Sequence, residues 1–476
     1  MKVLFVTSEA LPFAASGGLA EVSGSLPRAL RQRLIGCRVV LPLYESVPQE
    51  WRDQMRFVTS FTVPVAWRRQ YCGLFEARVD GVIYYLLDNQ YYFKRAGLYG
   101  HYDDAERFAF FSRAVLEMLQ YIDFRPDILH ANDWQAALAP VYYSLFYSDR
   151  EEYRHIKTVF TIHNIQYQGK YGMEILGDVF GIPEGARSLV EQDGCINLMK
   201  GGIEAANRVT TVSPTYAQEI MDPWFSHGLD TILRAREWKL SGILNGIDTD
   251  SYNPATDPDI AVHYSLEDMA GKAEDKRALQ ERLCLPQRPE VPLIAMVTRL
   301  VAHKGLDLVK YVLDELLQED IQFVLLGSGE WVYENFFREM QDRFPDKMRY
   351  CFGFVPELAR KIYAGGDIFL MPSKSEPCGL SQMVACRYGT IPVVRETGGL
   401  RDSVVPYNKF TGEGTGFSFA NINVQEMTGV LSEAVNLYHS EPKAWKALQK
   451  NAMTADFSWE KSAKAYEEIY GWVTGK

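Results

Sequence analysis

The sequence lacks the features that mark several large classes of protein. It has no run of five or six like charges, and its 61 acidic residues outnumber the 50 basic ones, for a formal net charge of −11. Such a charge balance is poorly suited to binding nucleic acid or anionic lipid. No stretch approaches the roughly 20 apolar residues that span a bilayer. We therefore expect neither nucleic acid nor a membrane among its partners.

The sequence also lacks cysteine pairs and the short motifs of common enzyme classes. Its seven cysteines are scattered without a C-x-x-C pair, which fits neither a disulfide framework nor a zinc site. It contains no H-E-x-x-H and no G-x-S-x-G motif. The amino terminus, MKVLFVTSEALPF, has too short an apolar run for a signal peptide. These observations predict a cytoplasmic protein with no metal and no cofactor.

What the sequence contains is the alternation of an α/β protein. The chain has 476 residues, 47% of them hydrophobic, and chains of this length usually form about two or three domains. Short β-branched runs alternate with stretches of helical periodicity, which is typical of parallel sheets. The first series of predicted strands covers 2–8, 37–44, 82–88, 127–133, 158–164 and 208–214, and the second covers 292–300, 321–329, 348–354, 367–376 and 390–397.

A segment rich in Asn, Asp, Gly and Pro, SGILNGIDTDSYNPATDPD, separates the two series and has the composition of turns. We therefore predict one domain over 1–245 and a second over 246–458, followed by a final helix. Helical segments are expected at about 426–455 and 460–473. The two D-x-D strings of the segment, at 248–250 and 257–259, are interpreted as solvated loop rather than as metal ligands.

Polar and glycine residues follow almost every predicted strand, where α/β proteins bind their ligands. Two glycines, Gly17 and Gly18, precede a helix, whose free amides favour anions. Arg299 and Lys304 would neutralise a diphosphate, and Glu376 begins another helix as a carboxylate suited to sugar hydroxyls. Each string taken alone is equally compatible with a tight turn, a solvated basic loop or a capped helix. Their recurrence in both halves indicates a ligand site.

The strings SEALPFAASGGLAEV, HANDWQ, TIHNIQYQG, NGID, TRLVAHKG, SKSEPCGLSQ and RETGGLRDSV occur in this order between Val3 and about Trp472. This set resembles the bacterial glycogen synthase and plant starch synthase family of glucosyltransferases. The resemblance implies two Rossmann-like, doubly wound parallel-sheet domains facing a cleft, the glycosyltransferase B type, with helix 459–476 packing back on the first domain. It also implies transfer of glucose from ADP-glucose to the non-reducing end of an α-1,4-glucan, with retention of configuration and without a metal ion.

The resemblance also assigns roles residue by residue, with the acceptor on the first domain and the nucleotide sugar on the second. The implied catalytic residues are Glu376, His163, Arg299, Lys304 and Asp133. The implied donor contacts are Gly18, Ser16, Asn245, Arg299, Lys304, Cys378, Gly379, Leu380 and Ser381. The implied acceptor contacts are Glu9, Tyr99 and Asp133.

The chain departs from the family pattern at one position that bears on function. Where the family usually carries a lysine before the glycine pair, this chain has Ala15, so a cation near the donor phosphates is absent unless Arg28 or Lys94 replaces it. Two alternatives therefore stay open beside an ADP-glucose-dependent synthase. One is UDP-glucose as donor, and the other is a glucan-binding regulatory paralogue with weakened catalysis. A plastid location is the alternative to the cytoplasm.

Overall fold

The computed structural model describes residues 1–476, which form two compact units. The first unit comprises Met1–Gly246 together with Trp459–Lys476, and the second comprises Ile247–Ser458. The sequence predicts boundaries after residues 245 and 458, and the structure has them after Gly246 and Ser458. None of the helices is both long and apolar enough to cross a membrane.

The N-terminal unit contains a nine-stranded sheet and a separate three-stranded one. The large sheet has the order β12-β11-β7-β6-β1-β2-β5-β4-β3 and is parallel except for β4, which pairs in antiparallel fashion with both β5 and β3. The small sheet has the order β8-β10-β9. In chain order the strands are Lys2–Val6 (β1), Gly36–Pro42 (β2), Arg56–Val65 (β3), Arg68–Val79 (β4), Val82–Asp88 (β5), Ile128–Asn132 (β6), Lys157–Ile162 (β7), Lys170–Gly172 (β8), Glu191–Gln192 (β9), Cys195–Asn197 (β10), Arg208–Thr211 (β11) and Leu240–Gly242 (β12).

Every helix of this unit except the short one at Gln49–Arg52 contains buried apolar residues. In the first helix, Leu19, Val22, Leu26 and Leu30 recur at helical spacing and are all buried. The helices are Gly18–Gln32 (α1), Gln49–Arg52 (α2), Gln90–Phe93 (α3), Asp104–Glu117 (α4), Asp133–Ala136 (α5), Leu138–Tyr142 (α6), Ile175–Asp178 (α7), Leu198–Ala205 (α8), Pro214–Glu219 (α9) and Asp230–Ala235 (α10).

The C-terminal unit contains one parallel six-stranded sheet with the order β15-β14-β13-β16-β17-β18. Its strands are Leu293–Val297 (β13), Gln322–Gly327 (β14), Met348–Phe352 (β15), Ile368–Met371 (β16), Ile391–Arg395 (β17) and Phe417–Phe419 (β18). Its helices are Ala270–Arg282 (α11), Leu306–Leu316 (α12), Trp331–Arg343 (α13), Pro356–Gly365 (α14), Ser381–Arg387 (α15), Gly398–Ser403 (α16), Val424–Ser440 (α17) and Pro442–Thr454 (α18).

Each large sheet has a point where the strand order reverses, and this point is where doubly wound folds bind ligands. In the N-terminal unit it lies between β1 and β6, which pair in parallel with Val6 opposite Ala131. In the C-terminal unit it lies between β13 and β16. The predicted fold class, two doubly wound α/β domains, is confirmed.

The last helix, Trp459–Thr474 (α19), packs on α1 of the N-terminal unit. Its Tyr470 hydroxyl lies 2.7 Å from Nδ1 of His130, in the core beneath β6. Its Glu467 lies 2.5 Å from Arg33, just beyond α1. The chain therefore returns to the N-terminal unit after it has formed the C-terminal one.

Two expectations about the C-terminal unit are wrong. The helix expected over 426–455 is two helices, because Pro442 cannot continue the preceding hydrogen-bond ladder and instead starts α18. The second D-x-D string is not a solvated loop, since Asp257 is buried. Its carboxylate is bound by Arg360 at 3.0 Å and by the Tyr388 hydroxyl, which anchors the start of the unit.

Candidate active site

Glu9 organises the loop that follows β1 in the N-terminal unit. Its buried carboxylate accepts hydrogen bonds from the Ser16 amide at 2.5 Å, the Ser16 hydroxyl at 2.8 Å and the Gly17 amide at 3.3 Å. The Tyr99 hydroxyl donates a further bond at 2.7 Å and also contacts the Ser8 hydroxyl. Two of the predicted acceptor residues, Glu9 and Tyr99, are thus in direct contact. Ser16, predicted to bind the donor, is hydrogen-bonded to Glu9, and Gly18 follows as the first residue of α1.

A buried arginine holds the segment that carries Tyr99. Arg107 is fully buried on α4 and donates to the carbonyls of Tyr92 and Leu98 and to the Asp104 carboxylate. Asp104 in turn accepts from the Gly100 amide at 2.8 Å. Tyr99 therefore sits between two anchored residues. The sequence analysis missed Arg107, because an arginine within a helix carries no local signal of burial.

Asp133 and His163 meet at the carboxyl ends of β6 and β7. Oδ1 of Asp133 accepts from the backbone amides of His163 at 2.7 Å and Asn164 at 3.4 Å. The Asp133 backbone has φ of 56°, a left-handed conformation that non-glycine residues adopt mainly where the surroundings enforce it. The imidazole Nε2 of His163 donates to Asn132 Oδ1 at 2.9 Å, since an amide oxygen only accepts.

Burial sets the protonation of this pair. Burial raises the pKa of Asp133 to about 7, against the lowering effect of the two amide bonds, and the nearby Glu9 charge adds to the rise. Burial lowers the pKa of His163 to about 3. The site therefore combines a carboxyl group that titrates near neutrality with an uncharged imidazole.

His130 lies in the middle of β6 and has no place in this site. Both of its ring nitrogens are hydrogen-bonded within the core, to the Tyr470 hydroxyl at 2.7 Å and to the Thr161 hydroxyl at 2.6 Å.

Asn245 is only 4% exposed, and its Oδ1 has no hydrogen-bond partner. A buried and unpaired amide oxygen is costly, so it marks a place where a ligand or water would bind.

In the C-terminal unit, the predicted cation and carboxylate form an ion pair. Lys304 Nζ lies 2.6 Å from Oε2 of Glu376, and the Ser373 hydroxyl donates to the same oxygen at 3.1 Å. Glu376 is only 7% exposed. Gly305, next to Lys304, allows the chain to pass close to Pro372, because a Cβ at this position would lie 1.9 Å from the Pro372 carbonyl oxygen.

Arg299, beyond the end of β13, is exposed and makes no salt bridge.

Two glycines at the start of α16 support the loop after Glu376. A Cβ on Gly398 would lie 2.0 Å from the Glu376 carbonyl oxygen, and one on Gly399 would lie 2.0 Å from that of Cys378. The Gly399 amide also donates to the Glu376 carbonyl at 3.2 Å. The loop is thereby pressed onto α16.

The same loop carries the remaining predicted donor contacts. Cys378 is buried, Gly379 has φ of 68°, and Leu380 precedes α15, which begins at Ser381. The first amides of a helix have no intrahelical partner and are available to an anion. Gln382, which the sequence analysis did not single out, donates its side-chain amide to the carbonyls of Cys378 and Gly379 and to Ser403. The sequence did contain a signal for Gln382, because this residue ends the motif SKSEPCGLSQ on which the family resemblance rests.

The two cations considered as replacements for a lysine at position 15 differ in place. Ala15 itself is exposed in the loop that Glu9 organises. Arg28 lies 3.7 Å from Asp80, in the turn before β5 and hence at the opposite edge of the sheet. Lys94 follows the carboxyl end of β5 and is exposed. Arg28 is therefore not the replacement, whereas Lys94 lies at the correct edge.

Nothing in the donor set suggests a resident metal. No cluster of three or more His, Cys, Asp or Glu side chains is close enough to bind a metal ion. The candidate residues of the N-terminal unit are carboxylates, a phenol and an uncharged imidazole, and those of the C-terminal unit are two cations, a carboxylate and backbone amides.

Comparison with known proteins places both halves in glycosyltransferase families. Residues 2–235 match the family model described as starch synthase catalytic domain, and residues 284–453 match glycosyl transferases group 1. Proteins named glycogen synthase from Geobacillus thermodenitrificans and Bacillus cereus (strain Q1) are 51% and 49% identical to the chain. The alignments cover 99% of this chain and 97% and 99% of those proteins, respectively.

Solved structures agree with these sequence matches. The catalytic domain of starch synthase IV from Arabidopsis thaliana, bound to ADP and acarbose, has a TM-score of 0.93 at 35% identity and covers 100% of this chain and 99% of that one. Sucrose-phosphate synthase from Thermosynechococcus elongatus has a TM-score of 0.62 at 16% identity, covers 100% and 99%, and shares the fold alone.

Proposed function

We propose that this chain, which belongs to the glycogen and starch synthase family of glycosyltransferases, elongates an α-1,4-glucan with glucose taken from ADP-glucose. The observation that carries the proposal is identity of about half, over almost the full length, to proteins named glycogen synthase. The starch synthase structure that is bound to ADP supports ADP as the nucleotide of the donor. The α-1,4-glucan acceptor and retention of configuration follow from family membership.

The C-terminal unit supplies the groups for the nucleotide sugar. Arg299 and Lys304 neutralise the diphosphate, where negative charge grows as the glycosidic bond breaks. Glu376 accepts hydrogen bonds from glucose hydroxyls, and the amides around Gly379 face the phosphate or the sugar. The Lys304 ammonium and the Glu376 carboxylate are paired at 2.6 Å, so each is already oriented before the donor binds.

The N-terminal unit supplies the groups for the glucan. Glu9, Tyr99 and Asp133 offer two carboxylates and a phenol to sugar hydroxyls. His163 is uncharged because its pKa is lowered to about 3, so it adds no positive charge that would oppose cationic character at the anomeric carbon. Its backbone amide also fixes the Asp133 carboxylate.

The chemical step we infer is substitution on the face of the sugar that the diphosphate leaves. The acceptor hydroxyl attacks the anomeric carbon as the bond to the diphosphate oxygen breaks, and the departing phosphate takes the hydroxyl proton. Electrons and protons balance without a redox partner or an enzyme nucleophile. Cys378 is not needed as a nucleophile, because this substitution forms no covalent intermediate with the protein.

The test is the initial rate of glucose transfer to glycogen from ADP-glucose and from UDP-glucose, each with a chelator present. We expect metal-independent transfer with ADP-glucose strongly preferred. Lys304→Ala should abolish most of this rate, because it removes a phosphate cation and leaves the buried Glu376 carboxylate without its charge partner. Equal rates with both donors would contradict the donor assignment, and no transfer from either would favour a glucan-binding paralogue.

A further inference from the structure

Arg395 is the last residue of β17 and is almost completely buried, at 6% exposure. Burial is unusual for an arginine, because a charged group is costly in the interior unless its N–H groups are bound. Its Nε donates to the Ser373 carbonyl at 2.8 Å, and its Nη2 donates to the Lys374 carbonyl at 2.6 Å. Its Nη1 donates to the Ala420 carbonyl at 3.2 Å. One guanidinium thus joins the segments that follow β16 and β18.

Ser373 connects this arginine to the Glu376 carboxylate. Its hydroxyl donates to Oε2 of Glu376 at 3.1 Å, and Lys304 Nζ lies 2.6 Å from the same oxygen. Ser373 is itself only 2% exposed. The direction of a serine hydroxyl follows from the position of its backbone, since the side chain has only a few staggered rotamers. Arg395 holds that backbone, so it acts on Glu376 through a single intervening residue.

Lys374 connects the arginine to the loop that carries Lys304. The backbone amide of Lys374 donates to the His303 carbonyl at 2.8 Å, directly before Lys304. The segments that follow β13 and β16 are therefore hydrogen-bonded to each other, and Arg395 binds the carbonyl of the same residue. Both members of the Lys304–Glu376 pair thus lie on backbone that Arg395 holds in place.

The geometry of these bonds suits an arginine. Three carbonyls from three different residues accept from Nε, Nη1 and Nη2, which diverge in the plane of the guanidinium. A lysine ammonium carries its donors on one nitrogen atom, so it cannot reach acceptors that are spread around such a fork. A methionine would fill much of the volume but would leave the carbonyls without their donor.

We propose that Arg395 is a positioning residue for the glucosyl donor: through Ser373 it holds the Glu376 carboxylate where that group meets the glucose hydroxyls. This inference rests on the proposed function. Arg395 acts on the loop rather than on the substrate. Its loss should weaken the hold on the glucose part of the donor and slow transfer, whereas the cations and helix amides still hold the ADP part.

The first experiment compares Arg395→Met and Arg395→Lys with the natural chain, in the full-length protein. With ADP-glucose and glycogen, kcat should fall by about thirtyfold or more in Arg395→Met, because a small displacement of a positioning group is costly in rate. Arg395→Lys should recover part of this loss, since it keeps a donor to one of the carbonyls. KM for glycogen should stay within about twofold of its natural value in both variants. An unchanged kcat in Arg395→Met would overturn the proposal.

The matched control is Arg349→Met. Arg349 lies on β15 of the same sheet and also donates to backbone carbonyls, those of Leu283 and Cys284, but it has no contact with the loop after β16. This variant should keep kcat. A loss of kcat as large as that of Arg395→Met would overturn the proposal, because it would show that any arginine anchored in this sheet has the same effect.

A double-mutant cycle tests the path through Ser373. Ser373→Ala, a small change, should lower kcat by about three- to tenfold. In the double variant kcat should stay close to that of Arg395→Met alone, because the hydroxyl is no longer aimed at Glu376 once the arginine is gone. Losses that multiply, or an unchanged kcat in Ser373→Ala, would overturn this path. Arg395→Lys takes the place of Arg395→Met in the cycle if the latter does not fold.

Calorimetric binding of ADP and of ADP-glucose, without glucan, separates this proposal from the proposed function. In Arg395→Met the Kd for ADP-glucose should rise by about fivefold or more, while the Kd for ADP stays within about twofold. Such a selective loss, together with no glucose transfer by the natural chain, would contradict the proposed function and leave the role of Arg395 standing. Transfer by the natural chain with equal changes in both Kd values would contradict the role of Arg395 alone. No binding of ADP-glucose by the natural chain would overturn both.

Discussion

At position 15 this chain carries a methyl group where the family pattern has a lysine, and the consequence is measurable. Ala15→Lys should raise kcat/KM for ADP-glucose by about ten- to a hundredfold, the worth of a charge-assisted hydrogen bond of about 1.5–3 kcal/mol. Kinetics at fixed glycogen and varied ADP-glucose would measure it. Ala273→Lys, at an exposed alanine of α11, is the control and should change nothing. An unchanged Ala15→Lys would mean that another cation already serves the phosphates.

Lys94 is the residue to examine in that case. It is exposed at the carboxyl edge of the sheet, whereas Arg28 is paired with Asp80 at the other edge. Lys94→Ala should lower kcat/KM for ADP-glucose in the natural chain and lower it much less in the Ala15→Lys background, since the two cations then substitute for each other. Equal losses in both backgrounds would show that they act independently.

Asp133 should give glucan binding a pH dependence close to neutrality. Its pKa is raised to about 7, and the ionised form is the better acceptor for sugar hydroxyls, so kcat/KM for glucan should rise as pH increases through about 7. Asp133→Asn should lower this value and flatten its pH profile. A profile with the same inflection in Asp133→Asn would assign the titration to another group.

The same group affects stability with a defined sign. Because its folded pKa of about 7 exceeds that of the unfolded chain, near 4, the folded state holds a proton that the unfolded state releases between those values. Stability of the N-terminal unit should therefore fall as pH rises from about 4 to about 7. Denaturation of Asp133→Asn across this window should show a smaller fall.

The motifs name the candidate site residues, but they do not predict the electrostatics of those residues. The sequence places both His130 and His163 near the ends of predicted strands. In the structure only His163 lies in the site, because the His130 side chain points into the core and contacts Tyr470. The Asp133 backbone at φ of 56° and the burial that raises its pKa depend on residues distant in the chain. A single sequence does not contain that information in readable form.

Among the elements, α16 has the clearest role, because its glycines let it press against the loop after Glu376. Gly399→Ala would place a Cβ 2.0 Å from the Cys378 carbonyl oxygen, so the loop must shift and the ADP-glucose rate should fall by more than about tenfold. Gly429→Ala is the matched control, since nothing lies within 4 Å of its Cβ on α17. It should keep the rate and add about 0.5–1 kcal/mol of stability. An active Gly399→Ala enzyme would contradict the supporting role of α16.

The buried parallel strands were predictable, and the exposed antiparallel ones were not. The runs at 82–88 and 158–164 correspond to β5 and β7 because buried strands consist of continuous apolar residues. The hairpin of β3 and β4 was missed, since its half-exposed strands mix charged and apolar residues, as in RRQYCGLFEARV. The three short strands of the small sheet are held by side-chain amides such as Asn197, which periodicity does not reveal.

For the whole molecule, the return of α19 to the N-terminal unit should control the stability of that unit. Tyr470→Phe leaves the buried Nδ1 of His130 without its partner, at a cost of about 1–3 kcal/mol. Amide hydrogen exchange in β6 and β7 should quicken by about tenfold for each 1.4 kcal/mol. Tyr311→Phe, on the surface of the other unit, should leave these rates unchanged. Unchanged exchange in Tyr470→Phe would mean that α19 contributes no stability through this bond.

The interrupted N-terminal unit also has a consequence during synthesis on the ribosome. All strands of its sheet have been synthesised once the ribosome has passed Gly242. The helix that covers His130, however, follows the whole C-terminal unit in the sequence. At about 5–20 residues per second, the roughly 210 residues in between take about 10–40 seconds to emerge. For that interval the first unit is a nascent chain with an open face, while the second is completed and free to fold. The last segment made is therefore the one that closes the first segment made.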